Sequence, residues 1–369
     1  MGDLSEFMPQ GSKTVELIHA HYKARADAEP QRGYLGASVA GHECDRFLWY
    51  TFRGVIREDA EGRMYRLWQT GHREEARMLD DLRAIGLKVF DRDPETQDQF
   101  ELLEHGGHFS GHMDAVVLGV PEAPKTPHVA ECKTHKASSF NDLVKKGVRA
   151  SKPVHFAQMQ VYMGAFRIDR ALYLAHNKDT DELHAERVRF EPEFYAKVLA
   201  RARKIIETSK APEKCSSRSD DWRCNMCPAQ GLCWGAWEKP AVPIRAQTCK
   251  ACVHSTALTV GSSKAAWSCA KYETEVDPQV GAECPSFLLL PGLVSFAEPT
   301  DSGDDWIEFT NTSDGTKWRH GVARLVGTWS LAGLMAPGYG PRHAGERGDA
   351  HDGPDMVTVL GLEDEDLPF

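Results

Sequence analysis

The sequence predicts an α/β fold: a mixed sheet with helices on both sides, followed by a small cysteine-rich module. Three observations carry this. Over residues 14–208 the apolar periodicity runs in the order helices, a meander of strands, helix, strand. One strand, His128-Val129-Ala130-Glu131-Cys132-Lys133, holds small apolar residues beside an acid and a lysine. The ten cysteines gather mainly into two spaced groups in the C-terminal half.

The elements follow in order. Residues 14–28 predict an amphipathic helix with Val15, Leu17, Ile18 and Tyr22 on its apolar side. Ser38 is placed to cap a short helix carrying Cys44, Phe47, Leu48 and Trp49. Residues 62–85 give the strongest helical pattern, ended by Gly86. Strands are expected at 87–91, 98–104 and 109–118, with His105-Gly106-Gly107-His108 as a turn between the last two. The Glu131 strand covers 128–134, and helices follow at 138–147 and 154–166. Ala171–Ala175 reads as a buried strand, 184–190 as an alternating one and 192–208 as a helix. Trp306–Phe309 and Thr316–Trp318 flank an Asp314-Gly315 turn and predict a hairpin.

Composition bounds the possibilities. At 369 residues, 41% hydrophobic and 27% charged, the chain has room for one sizeable globular domain plus extras. The start, MGDLSEFMPQ, lacks a basic region followed by an apolar core, so no secretory signal is expected. The most apolar run, Phe287 to Phe296, is broken by Pro291, so no membrane span is expected. Ten cysteines without a leader favour metal or cluster ligation over disulfides, and a cytoplasmic setting. A net charge of −10 works against nucleic-acid binding by the whole surface. The charge is uneven, however. Residues 133–170 carry Lys133, Lys136, Lys145, Lys146, Arg149, Lys152, Arg167 and Arg170 against Asp142 and Asp169. That segment is either a solvated helix face or a phosphate contact.

The chemistry centres on the Glu131 strand. Side chains alternate along a strand, so Glu131 and Lys133 share one face and Cys132 takes the other. Asp114, in Gly111-His112-Met113-Asp114, supplies a second acid just upstream. Two carboxylates can hold a hard cation such as Mg²⁺, and a lysine beside them can orient water and neutralise a phosphate. That combination suits phosphodiester hydrolysis.

Asp114 followed by Glu131-x-Lys133 resembles the PD-(D/E)xK nuclease superfamily. Gln158-Met159-Gln160-Val161-Tyr162 is similar to the Q-x-x-x-Y element of its RecB-like branch. Gly71, four residues before Glu75, resembles a glycine-to-acid spacing in RecB-like and phage exonucleases. That makes Glu75 a further metal-site residue, with His72 a second candidate. The resemblance covers about residues 35–235. It implies a DNA exonuclease using Mg²⁺ or Mn²⁺, acting in recombination, repair or phage replication and encoded by a bacterium or phage. In it Asp114 and Glu131 ligate the metal, Glu75 supports them and Lys133 positions or activates water. Gln158 and Tyr162, one helical turn apart, orient DNA, and Lys136, Lys145, Lys146 and Arg149 contact its phosphates. A structure-dependent endonuclease is the alternative on the same chemistry. A catalytically silent DNA-binding adaptor is the alternative from another class.

Cys224-x-x-Cys227-x₅-Cys233 needs a fourth ligand, because zinc and cubane clusters both favour four. The resemblance extends to the iron–sulfur members of the family (AddB, CRISPR-associated and phage types), which implies Cys44 as that ligand and a [4Fe–4S] cluster. Cys215 is the runner-up ligand, and spacing alone does not separate iron–sulfur from zinc. Cys249-x-x-Cys252-x-His254, then Cys269 and Cys284, predicts a structural Zn²⁺ site, with His254 able to replace one thiolate.

The implied organisation is a nuclease domain over 1–238, a zinc module over 248–298, a hairpin extension over 299–335, and a linker and acidic tail over 336–369. Residues 240–247 read as a linker between modules. The chain ends Glu363-Asp364-Glu365-Asp366-Leu367-Pro368-Phe369. This resembles the acidic tip of bacterial single-stranded-DNA-binding proteins. Asp366, Leu367, Pro368 and Phe369 are therefore expected to dock a replication or repair protein, the alternatives being a solubilising tail or a cover for the chain's own basic groove.

Overall fold

A computed structural model describes residues 12–29, 32–56, 60–235, 248–261, 265–276, 278 and 284–321. The expectations for 240–247 and for the tail with Asp366–Phe369 lie outside the described residues. The fold is mixed α/β. In chain order come α1 (Lys13–Ala28), β1 (Leu35–Gly36), α2 (Asp45–Phe52), α3 (Gly62–Ala84), β2 (Lys88–Phe90), β3 (Glu101–Glu104), β4 (Phe109–His112) and β5 (Ala115–Leu118). Then follow β6 (His128–His135), α4 (Ala137–Ser151), α5 (Pro153–Phe166), β7 (Arg170–Asn177), β8 (Leu183–Arg189) and α6 (Pro192–Glu207). Two short helices, α7 (Trp222–Asn225) and α8 (Gln230–Trp234), close this part.

The central sheet has the order β2-β5-β6-β7-β8. Only β6 and β7 run parallel, joined by α4 and α5, and the other pairings are antiparallel. Parallel neighbours need such a crossover, and these helices supply it. Alternation along β6 splits the core. Ala130 and Cys132 join Leu172 and Leu174 under Met78, Leu79 and Leu82 of α3. Val129, Ala171 and Tyr173 face the opposite way, into the larger cluster with Phe156, Met159 and Met163 of α5. The α3 residues recur at helical spacing, and burial of each contributes about 1.5–3 kcal/mol. The helix stops where Gly86 takes φ 90. Gly86 N–H donates to Arg83 O and Leu87 N–H to Leu82 O, which closes the last turn.

Three expectations change. The single strand expected over 109–118 is two strands, split at Met113-Asp114. β4 pairs with β1 and β3 in a separate three-stranded sheet, whereas β5 pairs in the central one. The apolar side of α1 does not enter a core: Val15, Leu17 and Ile18 are exposed and no α1 residue is buried. The helix instead lies against the start of α3, where a Cβ on Gly62 would stand 1.8 Å from His19 O. Ser38 does not cap α2. It sits in a short 3-10 turn, and Cys44 holds the N-cap position without a side-chain cap bond.

The cysteine-rich segment forms β9 (Ser255–Ala257), β10 (Trp267–Cys269) and β11 (Thr274–Val276) in one small antiparallel sheet. β12 (Ala297–Gly303), β13 (Trp306–Asn311) and β14 (Lys317–Gly321) form another, so the expected hairpin carries a third strand. The cysteine-rich segment shares the main core: Trp267 and Leu289 are buried in the same cluster as Trp49 and Phe52. Arg53 of α2 fastens the join. Its guanidinium lies over the Trp49, Phe52 and Trp267 rings and donates to the carbonyls of Lys250 and Thr208.

Candidate active site

The split between β4 and β5 places Asp114 where the two sheets meet, one residue before β5. Its Oδ2 accepts from Cys132 N–H at 2.9 Å, beyond the last β5–β6 ladder pair, Ala115 with Ala130. A carboxylate thus takes the place of a backbone partner and fixes Asp114 beside Glu131 and Lys133. Gly111, three residues earlier, has no room for a side chain: a Cβ would stand 2.7 Å from Tyr162 Oη and 2.8 Å from Ala37 Cβ.

Glu131 is wholly buried, at 0% exposure. Lys133 Nζ contacts its Oε1 as an ion pair and stands 3.8 Å from Asp114 Oδ2. Neither Glu131 carboxylate oxygen has a hydrogen bond of good geometry. Burial pushes Glu131 up to about 8, against the pull of Lys133 and with help from Asp114 and Glu75. Burial also pushes Glu75 up to about 7, with Asp114 adding to the rise and Lys133 opposing it. Burial alone would lower Lys133, but the Glu131 and Asp114 charges outweigh it and hold the ammonium protonated. Asp114, Glu131, Lys133 and Glu75 therefore sense one another electrostatically.

Among the described residues no group of three or more His, Cys, Asp or Glu is already arranged to hold a metal ion. At the acids the reason is local, since the Lys133 ammonium stands between Glu131 and Asp114. The donor set still suits a hard cation. Carboxylate oxygens are its preferred ligands, and the buried Glu131, held at Oε1 by the Lys133 ion pair but without a well-formed hydrogen bond at either oxygen, has a free donor to offer one.

Other expected site residues are placed differently. Gln158 and Tyr162 are buried at 5% and 1% exposure, so they do not present their side chains to DNA. Tyr162 Oη donates to His112 O at 2.7 Å, and its hydroxyl pairs with Gln158. One turn apart on a buried helix, they fix the backbone two residues before Asp114. His72 is exposed and lines a groove between α1 and α3. The basic run is partly spent: Lys146 pairs with Asp142 at 2.6 Å, and Arg149 pairs with Glu191 while lying over Phe156. Lys136 and Lys145 are exposed.

A feature missed in the sequence lies next to Lys133. Tyr173 Oη bonds His135 Nε2 and His155 Nδ1, each at 2.8 Å. Burial lowers both imidazoles, to about 4 for His135 and about 3 for His155, so both are neutral near pH 7. His135 was findable, because extending the alternation of Glu131 and Lys133 by two residues reaches it. His155 was not, since its position depends on how α5 packs.

The first cysteine group converges. Cys44, Cys215, Cys224, Cys227 and Cys233 line one cavity of ≈ 20 Å³. Arg201 of α6 holds the Cys44 segment in place, donating to Asp45 Oδ1 and to the carbonyls of Ala40 and His42. Cys215 is a full lining member: burial first, then hydrogen bonds with Cys44 and Cys224, raise its thiol to about 12. The free space is water-sized, because the thiols lean on one another. Five thiols fit a soft metal or a cluster by chemistry, and a four-iron cube requires them to move apart. The second group, Cys249, Cys252, Cys269 and Cys284 with His254, lines a larger cavity of ≈ 320 Å³.

No family model and no curated protein matches this sequence. Among solved structures it is similar to LHK-Exo, an alkaline exonuclease from Laribacter hongkongensis, in complex with dAMP. The identity is 15%, the TM-score 0.35, and the match covers 50% of this chain and 90% of that one. It is also similar to SSO0001 (14% identity, TM-score 0.38, 60% of this chain and 96% of that one). A phage-related exonuclease from Haemophilus somnus 129PT matches at 14% identity and TM-score 0.26, over 37% of this chain and 69% of that one.

Proposed function

We propose that this chain is a metal-dependent DNA exonuclease of the PD-(D/E)xK type, with Asp114, Glu131 and Lys133 as its catalytic residues and Glu75 in support. The observation that carries the reading is Glu131: a wholly buried carboxylate without a good hydrogen bond, facing a lysine and flanked by two more acids. Three carboxylates around one lysine exceed what a structural ion pair needs, and such a cluster suits metal-assisted phosphodiester hydrolysis. Asp114, Glu131 and Glu75 are the residues that would hold Mg²⁺ or Mn²⁺, which would supply charge to offset the phosphate. Lys133, an ammonium beside Glu131 and Asp114, would orient the attacking water and neutralise the developing negative charge. Tyr162 and Gln158 keep the Asp114 segment in place through His112. Lys136 and Lys145, exposed and close in sequence to β6, hold phosphates of the substrate.

Incubation with end-labelled linear DNA and Mg²⁺ or Mn²⁺ tests this, with a covalently closed circle as control. Mononucleotides from the linear DNA and an intact circle are expected. Cutting of the circle makes the enzyme an endonuclease, and loss of neither makes it a silent adaptor.

The thiol cavities extend the proposal. Cys44, Cys224, Cys227 and Cys233 bind a [4Fe–4S] cluster, and Cys249, Cys252, Cys269 and Cys284 bind structural Zn²⁺. What supports this is the convergence of each group on one cavity. Anaerobic purification followed by metal analysis checks it: about one zinc and a brown, iron-bearing protein are expected. For the acidic tip, on sequence alone, we propose docking to a replication or repair protein. Removal of Leu367–Phe369 should abolish that capture and leave cleavage of naked DNA unchanged.

A further inference from the structure

The nuclease reading leaves unexplained a large groove on the α1 side of the molecule. It holds ≈ 640 Å³ and lies between α1, the segment 32–39 and the N-terminal half of α3. Tyr22, Tyr34, Tyr65 and Trp68 line it, all half-buried. Arg25 and Arg32, both exposed, sit among them, and Glu29 is the acidic member of the lining among the described residues. Four aromatic rings with two arginines around an open channel is not a core arrangement. Tyr65 and Trp68 meet edge to face, with centroids 5.0 Å apart, which fixes both rings.

Both walls of this groove lead to the acids. On one wall, His72 and Glu75 lie one turn apart on α3, His72 in the groove lining and Glu75 beside Asp114 and Lys133. On the other, Gly36 pairs with Ser110 of β4, the strand that runs into Asp114. We propose that this groove binds an unpaired DNA strand and delivers its end to Asp114 and Glu131, a proposal that rests on the nuclease reading. Stacking on aromatic rings requires bases free of a partner strand, and arginines between the rings match phosphates between the bases. Duplex DNA presents its phosphates outward and keeps its base faces stacked, so it cannot use the rings.

The test is fluorescence anisotropy in EDTA, where cleavage is blocked, with a labelled oligothymidylate of about 16 nucleotides and a blunt duplex as probes. Trp68→Ala should weaken single-strand binding about tenfold, and Trp68→Phe should restore most of it. Arg25→Glu, at an exposed position, should weaken it and flatten its salt dependence. Blunt-duplex binding should change less than about twofold in each. Unchanged single-strand affinity in both Trp68→Ala and Arg25→Glu overturns the proposal, as do equal losses on both probes. The two readings fail separately. If wild-type protein degrades linear DNA with Mg²⁺ while Trp68→Ala and Arg25→Glu both bind the single strand normally, the groove assignment falls and the nuclease stands. If the groove variants lose single-strand binding but no DNA is ever cut, the nuclease reading falls and the groove remains a strand-binding site.

Discussion

The acid site and the thiol cavity both gather residues from distant parts of the chain, but they are held differently. Glu131 and Lys133 sit on the central strand of a five-stranded sheet, with Asp114 tied to that strand by a hydrogen bond. Their positions are set by strand register, so the backbone that carries them needs no metal. Cys44 and Cys215–Cys233 lie on loops and short helices, clamped by Arg201 and by one another. A metal bound there closes a long loop and adds to folding free energy. Removing an acid should therefore cost activity and leave the fold, whereas removing a thiol should cost stability first.

The largest expected effect is on the acid side. Glu131→Ala or Lys133→Ala should lower the cleavage rate about a thousandfold or more, with an unchanged far-UV circular dichroism spectrum. Purified Glu131→Ala with full activity would sink the catalytic assignment. On the thiol side, Cys44→Ser should lose iron and lower the Tm by roughly 5–10 °C while cleavage at low temperature persists. Cys215→Ser arbitrates the ligand set: retained colour leaves Cys44 as fourth ligand, and lost colour with Cys44→Ser still brown exchanges the two.

A third effect is the pH dependence of metal-free stability. Glu131 and Glu75 are raised above 4.5, so the folded state holds extra protons. Their contribution is complete below the unfolded value and is lost as pH rises through about 7 and then about 8. His135 and His155 are lowered from 6.5, so their contribution has the opposite sign and is complete above that value. The clean window is pH 6.5 to 8. There the Tm in EDTA should fall as pH rises, and Glu131→Gln should remove most of the slope. A flat profile in wild-type protein would show that Glu131 is already ionised against Lys133.

Smaller effects sharpen the contrast between buried and exposed polar groups. Tyr162→Phe removes the bond to His112 O and should cost about 1–2 kcal/mol of stability, read from denaturant midpoints, with a modest rate loss. Lys146→Ala should change stability by less than about 0.5 kcal/mol and DNA affinity little, because Lys146 already pairs with Asp142. A large loss of DNA binding in Lys146→Ala would mean that the pair opens on the substrate.

The sequence by itself determined what local periodicity encodes. The α3 helix and its stop at Gly86, the Glu131 strand with its shared acid–lysine face, the α4–α5 pair and the final hairpin were all legible. Each depends on neighbours a few residues apart. Tertiary structure decided the rest. Nothing in 109–118 announces that β4 and β5 join different sheets, yet that break is what sets Asp114 beside Glu131. A Q-x-x-x-Y spacing gives one helix face but not its environment: Tyr162 packs against the Gly111 backbone, and Gln158 is buried with it. The convergence of Cys215 with Cys44, the meeting of His135 and His155 at Tyr173, and the aromatic groove behind Glu75 all join segments far apart in the chain. Pairings of that kind are fixed by which surfaces bury together, a property of the whole chain that no window of sequence contains.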